Sequence, residues 1–349
     1  MKKKMNLTKS TKSTLITIGM VVVAYIIMTI LTNVGALSSL MKGLLVPLCI
    51  YAIIAVALNL TVGILGELSL GHAGFMCVGA FASSFFSLCF KETMAAGPRF
   101  LLAIIIGAVV SAIFGFLIGI PVLRLQGDYL AIVTLAFGEI IKNVINVLYV
   151  GRDRNGFHFS MKDSMDLNLA EDGQVLINGA QGITGTPKDS NFTIAAILLV
   201  ITLIIVLNLV NSRSGRAIMA IRDNRIAAES VGINITKYKL LAFSISAGLA
   251  GVLYAHNLSI LQAQPKNFGY NMSIMILVYV VLGGIGNIRG SVISAVILVL
   301  LPELMRELND YRMLIYSVVL IGIMLFNWAP KAKLFREKYS LKRLLKKGN

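Results

Sequence analysis

Charge is scarce in this chain, and negative charge scarcer still. Of 349 residues only 14% are charged, and Asp and Glu number 16 against 32 Lys and Arg. A soluble domain of this length coats its core with charged and polar side chains. A chain without that coat, 57% hydrophobic, falls in the membrane class. Cysteine is nearly absent: Cys49, Cys77 and Cys89 lie in apolar stretches and form no Cys-x-x-Cys pair, so they read as small packing residues rather than metal ligands or a disulfide framework. The sequence has no Gly-x-x-x-x-Gly-Lys-[Ser/Thr] phosphate loop, no His-Glu-x-x-His and no convincing nucleophile–base pair. No catalytic residue, metal or cofactor is therefore expected, and the chain does not bind ATP by that route. An energy source would have to be another chain, an ion gradient, or nothing. The net charge of +16 raises nucleic acid as a partner. No basic stripe interleaved with stacking aromatics is present, and the Lys and Arg flank apolar segments instead, so no nucleic acid is expected.

Those apolar segments number ten, at about 15–32, 41–61, 67–90, 100–121, 129–150, 192–211, 239–260, 272–284, 290–308 and 312–328. The expected fold is all-α: a polytopic membrane protein with about ten transmembrane helices. The eighth segment is too short to cross a full bilayer straight and reads as a broken or half-membrane helix buried against its neighbours. The start, Met1-Lys2-Lys3-Lys4, has the basic flank of a signal peptide, but no clear small-x-small cleavage site follows it. It reads as the cytoplasmic flank (1–14) of an uncleaved first span. With the amino terminus inside, the inside segments hold 21 of the 32 Lys and Arg. An even span count then puts the basic tail 331–349 inside as well, and both basic ends read as solvated flanks touching anionic lipid.

The transmembrane body, 15–330, has two long connections. The one at 151–190 lies outside in this topology. It is mildly acidic and glycine-rich, with a length that is usually functional or disordered. The one at 212–238 lies inside. Gly107, Ser111, Gly115 and Gly119 recur every four residues in the fourth segment, and Ala247, Gly251 and Ala255 in the seventh, which lets helix backbones approach closely in lipid. A short echo links Gly63-Ile64-Leu65-Gly66-Glu67-Leu68 and Gly283-Gly284-Ile285-Gly286-Asn287-Ile288, two turns on the cytoplasmic side, although six residues do not establish a repeat.

The most informative stretch is Ser212 to Asn234. As one helix from Ala217 to Val231 it places Ala217, Ala220, Ile221, Ala228 and Val231 on one face and Arg222, Arg225 and Glu229 on another, with Gly232 ending it. A short helix with a small apolar face and a charged edge can seat in a partner's groove. Ala227-Ala228, three residues and Gly232 resemble the Glu-Ala-Ala-x-x-x-Gly coupling loop of ABC importer permeases, with Ile226 where that Glu stands. Together with Ser212-Arg213-Ser214-Gly215-Arg216-Ala217, Ala220-Ile221-Arg222-Asp223-Asn224 and Tyr238-Lys239-Leu240-Leu241-Ala242-Phe243, the stretch closely resembles the LivM-type permeases of branched-chain amino acid importers. Gly66-Glu67-Leu68-Ser69-Leu70-Gly71-His72-Ala73, the stretch Gly127 to Ile140, Gln181-Gly182-Ile183-Thr184-Gly185-Thr186-Pro187 and Gly283-Gly284-Ile285-Gly286 continue the resemblance in order over about 45–330.

That resemblance implies the ABC importer permease fold and a cargo of Leu, Ile or Val. It implies a heterodimer with a second permease subunit, two ATP-binding subunits inside and an extracytoplasmic substrate-binding protein docking near 151–190. Gly215, Arg216, Arg222, Asp223, Ala227, Ala228 and Gly232 would couple to the ATPase. Candidates along the translocation pathway are Ser69, His72, Thr134 and Glu139. Each has a plainer reading. Glu139 and Lys142, three apart, can pair with each other; His72, beside Gly71 and Gly74, suits a hydrogen-bonded packing role better than proton carriage; the Ser69 and Thr134 hydroxyls can bond their own backbone. Two other functions stay open, a permease for urea or another small amide and an ion-coupled carrier using Glu139. An intramembrane enzyme is the remotest reading.

Overall fold

The computed structural model describes residues 9–125, 127–154, 156–170, 173–252 and 262–304, with isolated positions beyond. The segment expected at 312–328 and both basic termini fall outside the described residues, apart from those isolated positions and residues 9–14.

Helix α1 (Lys9–Asn33) lies against α6 (Phe192–Asn211), where Tyr25 meets Phe192 at 5.3 Å between ring centres and its hydroxyl bonds Thr193 at 3.0 Å. Helix α2 (Ser39–Asn59) starts at Ser38, whose hydroxyl accepts from the Met41 amide. It carries Pro47 inside, which a bilayer protein tolerates when neighbours satisfy the freed carbonyl. From Leu45 onward almost every residue of α2 is buried, making it the axis of the first compact unit, residues 1–295.

The helical hydrogen bonding of α2 widens into a π segment, Leu60–Leu65, and stops at Gly66, which takes φ +80° and donates its amide to Thr61 O. Residues 67–71 are irregular, so α3 (His72–Cys89) begins five residues later than the apolar run implies. Helix α4 (Ala96–Val122) packs through its small residues. A Cβ at Gly115 would lie 2.4 Å from Ala247 Cβ of α9 (Ile235–Ala250), and one at Gly107 would lie 3.0 Å from Gly79 O of α3.

Helix α5 (Asp128–Asn146) ends earlier than the 129–150 run, because the chain there turns into a strand. The connection 151–190 corrects the all-α expectation. β1 (Tyr149–Asp153), β2 (Gly156–Ser160) and β3 (Gln174–Asn178) form an antiparallel sheet in the order β2-β1-β3. Val150 sits opposite both Phe159 and Ile177, so one buried β-branched residue organises both pairs. Asp153 closes the hairpin by accepting from the Gly156 amide and pairing with His158 at 3.1 Å. β4 (Ile183–Thr184) pairs antiparallel with β5 (Gln262–Ala263). Arg99 at the start of α4 bonds Asp189 at 2.9 Å, tying this layer down beside α6.

The single helix expected over 217–231 is two: α7 (Arg213–Asp223) and α8 (Arg225–Ser230). Asn224 breaks them in an extended conformation, its side chain accepting from the Ala227 amide at 3.0 Å. α10 (Tyr270–Gly283) has 14 residues and rises only about 21 Å, short of a hydrocarbon core of about 30 Å, as its sequence implies. α11 (Ile288–Leu304) follows. Among the described residues, five helices are long and apolar enough to cross a membrane: Ser13–Asn33, Ser39–Leu65, His72–Cys89, Ala96–Val122 and Phe192–Asn211.

Candidate functional site

The α7–α8 elbow is built by two side-chain caps and two glycines. Ser212 caps α7 by accepting from the Gly215 amide at 3.1 Å. Gly215 cannot be larger, since a Cβ there would lie 2.1 Å from Leu209 O. Asn224 caps α8, and Gly232, at φ +83°, ends it. The elbow buries Ile218 and turns Ile221 and Ala228 inward against Ile235. Val231, expected on that apolar face, is instead 75% exposed, as is Ile226 of α8 at 81%. The break at Asn224 rotates α8 relative to α7, which separates residues that one continuous helix would have aligned.

The sequence-derived residues of this elbow divide into root and tip. Arg216 donates to Asn211 O at 3.1 Å. Arg222 donates to Gly63 O at 2.9 Å and holds Asp223 through Nε at 3.0 Å and Nη2 at 2.8 Å. Ala227 and Gly232 are exposed, and Ala228 is buried. The root is thus Arg222, and its socket is the end of the π segment. A Cβ on Gly66 would lie 2.4 Å from Arg222 Cγ, so the guanidinium stem occupies the space a side chain would need.

The same socket joins the two glycine turns that echo each other in sequence. A Cβ on Gly63 would lie 1.9 Å from Asn59 Oδ1 and 2.3 Å from the Gly286 amide nitrogen. Asn59, fully buried, accepts from the Gly286 amide at 2.9 Å and donates to Ser291 Oγ at 2.7 Å. Glu67 pairs with Lys239, both largely buried, which closes the socket on the α9 side. Sequence reasoning missed Asn59 and Lys239. The signal is present in each case: an amide in an unbroken apolar run, and a Lys at the start of an apolar run with an acid, Glu67, at the start of another.

A second cluster surrounds the start of α3. His72 is fully buried and bonds Ser246 Oγ through Nε2 at 2.7 Å and Ser69 Oγ through Nδ1 at 3.3 Å, while Ser246 donates on to Ala57 O. Thr134 accepts from the Leu70 amide at 3.0 Å and donates to Ala131 O at 2.9 Å. Gly71 and Gly74 let α5 approach: a Cβ at either would meet Thr134 O at 2.5 Å or Gly138 Cα at 2.7 Å. Ser69, His72 and Thr134 are therefore brought together, with Ser273 of α10 accepting from the Ala73 amide at 3.3 Å. Glu139 stands apart, paired with Lys142 and accepting from the Tyr270 amide at 2.8 Å, where it caps α10. The break before α3 and the start of α10 are each met by polar side chains of neighbouring helices, Thr134 and Ser273 at α3 and Glu139 at α10.

Residues 40–327 match the family described as branched-chain amino acid transport system / permease component. The chain is 35% identical over 311 residues to the high-affinity branched-chain amino acid transport system permease protein LivM of Salmonella typhimurium and 34% identical to LivM of Escherichia coli, in each case over 86% of this chain and 70% of the relative. Shorter similarity reaches the ribose import permease protein RbsC of Escherichia coli, 33% identical over 32% of this chain and 37% of the relative. No solved structure matches.

Proposed function

The chain belongs to the family of branched-chain amino acid transport system permease components, and from that premise we propose that it is one of two related permease subunits of an ATP-driven importer of Leu, Ile or Val. In this reading residues 15–330 are the transmembrane permease domain, both termini are cytoplasmic, and the 151–190 layer meets an external substrate-binding protein. Two ATP-binding subunits grip the 212–238 elbow from inside. The observation that carries the reading is the division of that elbow into an apolar exposed tip, Ile226 and Val231, and an anchored root, Arg222 on Gly63 O. An exposed apolar tip on a charged knob suits a partner's groove, and a root bonded to the π segment gives a displaced tip something to move.

The coupling path supported by these contacts runs from Ile226 through α7 to Arg222, then to Gly63, Asn59 and the Gly286 turn. ATP binding and release in the partners would bias the permease pair between outward-open and inward-open arrangements, which requires the partner to grip the two arrangements with different affinity. The His72–Ser246–Ala57 bridge and the Ser69 and Thr134 hydroxyls lie next to the broken start of α3, where a zwitterionic cargo would meet polar groups. Methylene-level discrimination by apolar contact is weak, so selection among Leu, Ile and Val falls mainly to the binding protein.

The test uses the assembled transporter. Ile226→Asp is expected to reduce co-purification of ATP-binding subunits. Arg222→Ala is expected to leave them bound while uptake per ATP hydrolysed falls by about tenfold, the worth of one charge-assisted hydrogen bond. Labelling of Ile226→Cys by a thiol reagent that cannot enter intact cells would put the elbow on the external side and end the proposal.

A further inference from the structure

At the end of α3 remote from the Arg222 socket, two chambers share a wall. The first, about 480 Å³, is lined by Phe85, Phe86, Phe90, Ile106, Val110 and Phe157, and polar atoms contribute almost nothing to it. The second, about 550 Å³, is mixed in character, with Leu88, Val175 and Leu176 beside Lys91, Glu92, Arg154 and Gln174. Cys89, Thr93 and Arg152 line both. Neither chamber takes part in the coupling path or in the cluster around His72.

The paired arrangement is amphipathic, and its position decides what it fits. The apolar chamber lies between the last turns of α3 and the first half of α4, next to Ile105 and Val109, which α4 leaves 48% and 50% exposed. It therefore adjoins a span surface of the kind that meets lipid tails. The second chamber lies just beyond the helix end, at the β1–β3 layer. Arg152 stands at the junction. Its Nη1 donates to Cys89 O at 2.6 Å and its guanidinium lies 5.8 Å from the Phe157 ring centre, which fixes a cation between the two compartments. Asp153 also lines the polar side of the second chamber; its carboxylate is 1% exposed and is engaged by the Gly156 amide and His158.

We propose that these chambers bind one phospholipid, with an acyl chain in the apolar chamber and the phosphodiester at Arg152 and Lys91. The shared chemistry is a phosphate ester on an acyl chain, and both anionic and zwitterionic headgroups supply it. Glu92 in the second chamber gives an ethanolamine ammonium a counter-charge, so phosphatidylethanolamine and phosphatidylglycerol are both accommodated. The inference depends on the chain being a membrane protein and not on its cargo or its ATP-driven partners.

The experiment uses the full chain, purified and reconstituted with palmitoyl-oleoyl phosphatidylglycerol bearing a photoactivatable group at the acyl terminus. Labelling is expected to concentrate on the peptides carrying Phe86, Val110 and Phe157. Unlabelled phosphatidylglycerol and phosphatidylethanolamine should compete, and palmitate, which lacks the phosphodiester, should not. Arg152→Gln is expected to weaken competition by about tenfold, and Val110→Trp, which fills the apolar chamber, to abolish labelling there while labelling of α1 persists. Three outcomes would overturn the proposal: labelling spread evenly over the exposed faces of α1 and α4, palmitate competing as well as phospholipid, or a thiol placed by Phe90→Cys crosslinking to another protein subunit of the assembled transporter. Should Val110→Trp not fold, the Arg152→Gln competition and the palmitate arm decide the matter on their own.

Discussion

Two spans of equal length, the 27 residues of α2 with its π segment and the 27 residues of α4, are both strongly apolar, yet their most apolar stretches are 94% and 22% buried. In water such sequences would both be core. In a bilayer the tails are as apolar as leucine, so apolarity places a helix in the membrane and leaves its neighbours undetermined. What separates the two spans is the distribution of small and polar residues. α2 carries Asn59 and, in the π segment, Thr61 and Gly63 among side chains that are buried all round. α4 confines Gly107, Ser111, Gly115 and Gly119 to one buried stripe and leaves Leu101, Ile105, Val109, Ile113, Phe116 and Leu117 exposed.

The sharpest way to break this contrast is Gly63→Val. Its branched side chain would have to displace the Gly286 backbone and the Asn59 amide together, so a loss of more than about 4 kcal/mol is expected, read as the disappearance of the monodisperse peak of a fluorescent fusion in size-exclusion chromatography. Gly115→Leu attacks the one packed stripe of α4. Overpacking against Ala247 is expected to cost about 1–3 kcal/mol, seen as a lowered unfolding temperature in detergent with the fold retained. Val109→Ala, on the opposite face of the same helix, should stay within about 0.5 kcal/mol of the parent. If Gly115→Leu were as mild as Val109→Ala, the stripe would not be the packed face and the distinction between the two spans would fail.

Much of this was legible from residues alone. Among the described residues the apolar runs locate most of the helices to within about five positions, although α9 ends at Ala250, ten residues short of its 239–260 run, and the i, i+4 spacing of small residues identifies the side of α4 that meets α3 and α9. The echo of Gly63-Ile64-Leu65-Gly66 in Gly283-Gly284-Ile285-Gly286 marked two turns that prove to touch through Asn59. The misses share a cause, since each depends on a partner distant in sequence. The strands at 149–178 are short and glycine-rich, and Val150 becomes a strand residue only once Phe159 and Ile177 flank it. The elbow at Asn224 is a local competition between the helix and an Asn cap, invisible to a count of faces. The late start of α3 follows from Thr134, far along the chain, accepting the Leu70 amide that a continuous helix would have used internally. Lys239 was passed over because it sits at the edge of an apolar run, where a charge normally reaches water, whereas here it is spent on Glu67.

Asn59 also sets a schedule for synthesis. Its amide is satisfied by Gly286 and Ser291, the latter 232 residues downstream, so for most of translation the innermost helix carries an amide that lacks the partners under which it is buried in the finished fold. A nascent chain released before residue 286 would leave that amide orphaned at the axis. Such truncated products should be short-lived in the cell, recognised by membrane proteases, and the late-arriving turn acts as the signature that biogenesis is complete.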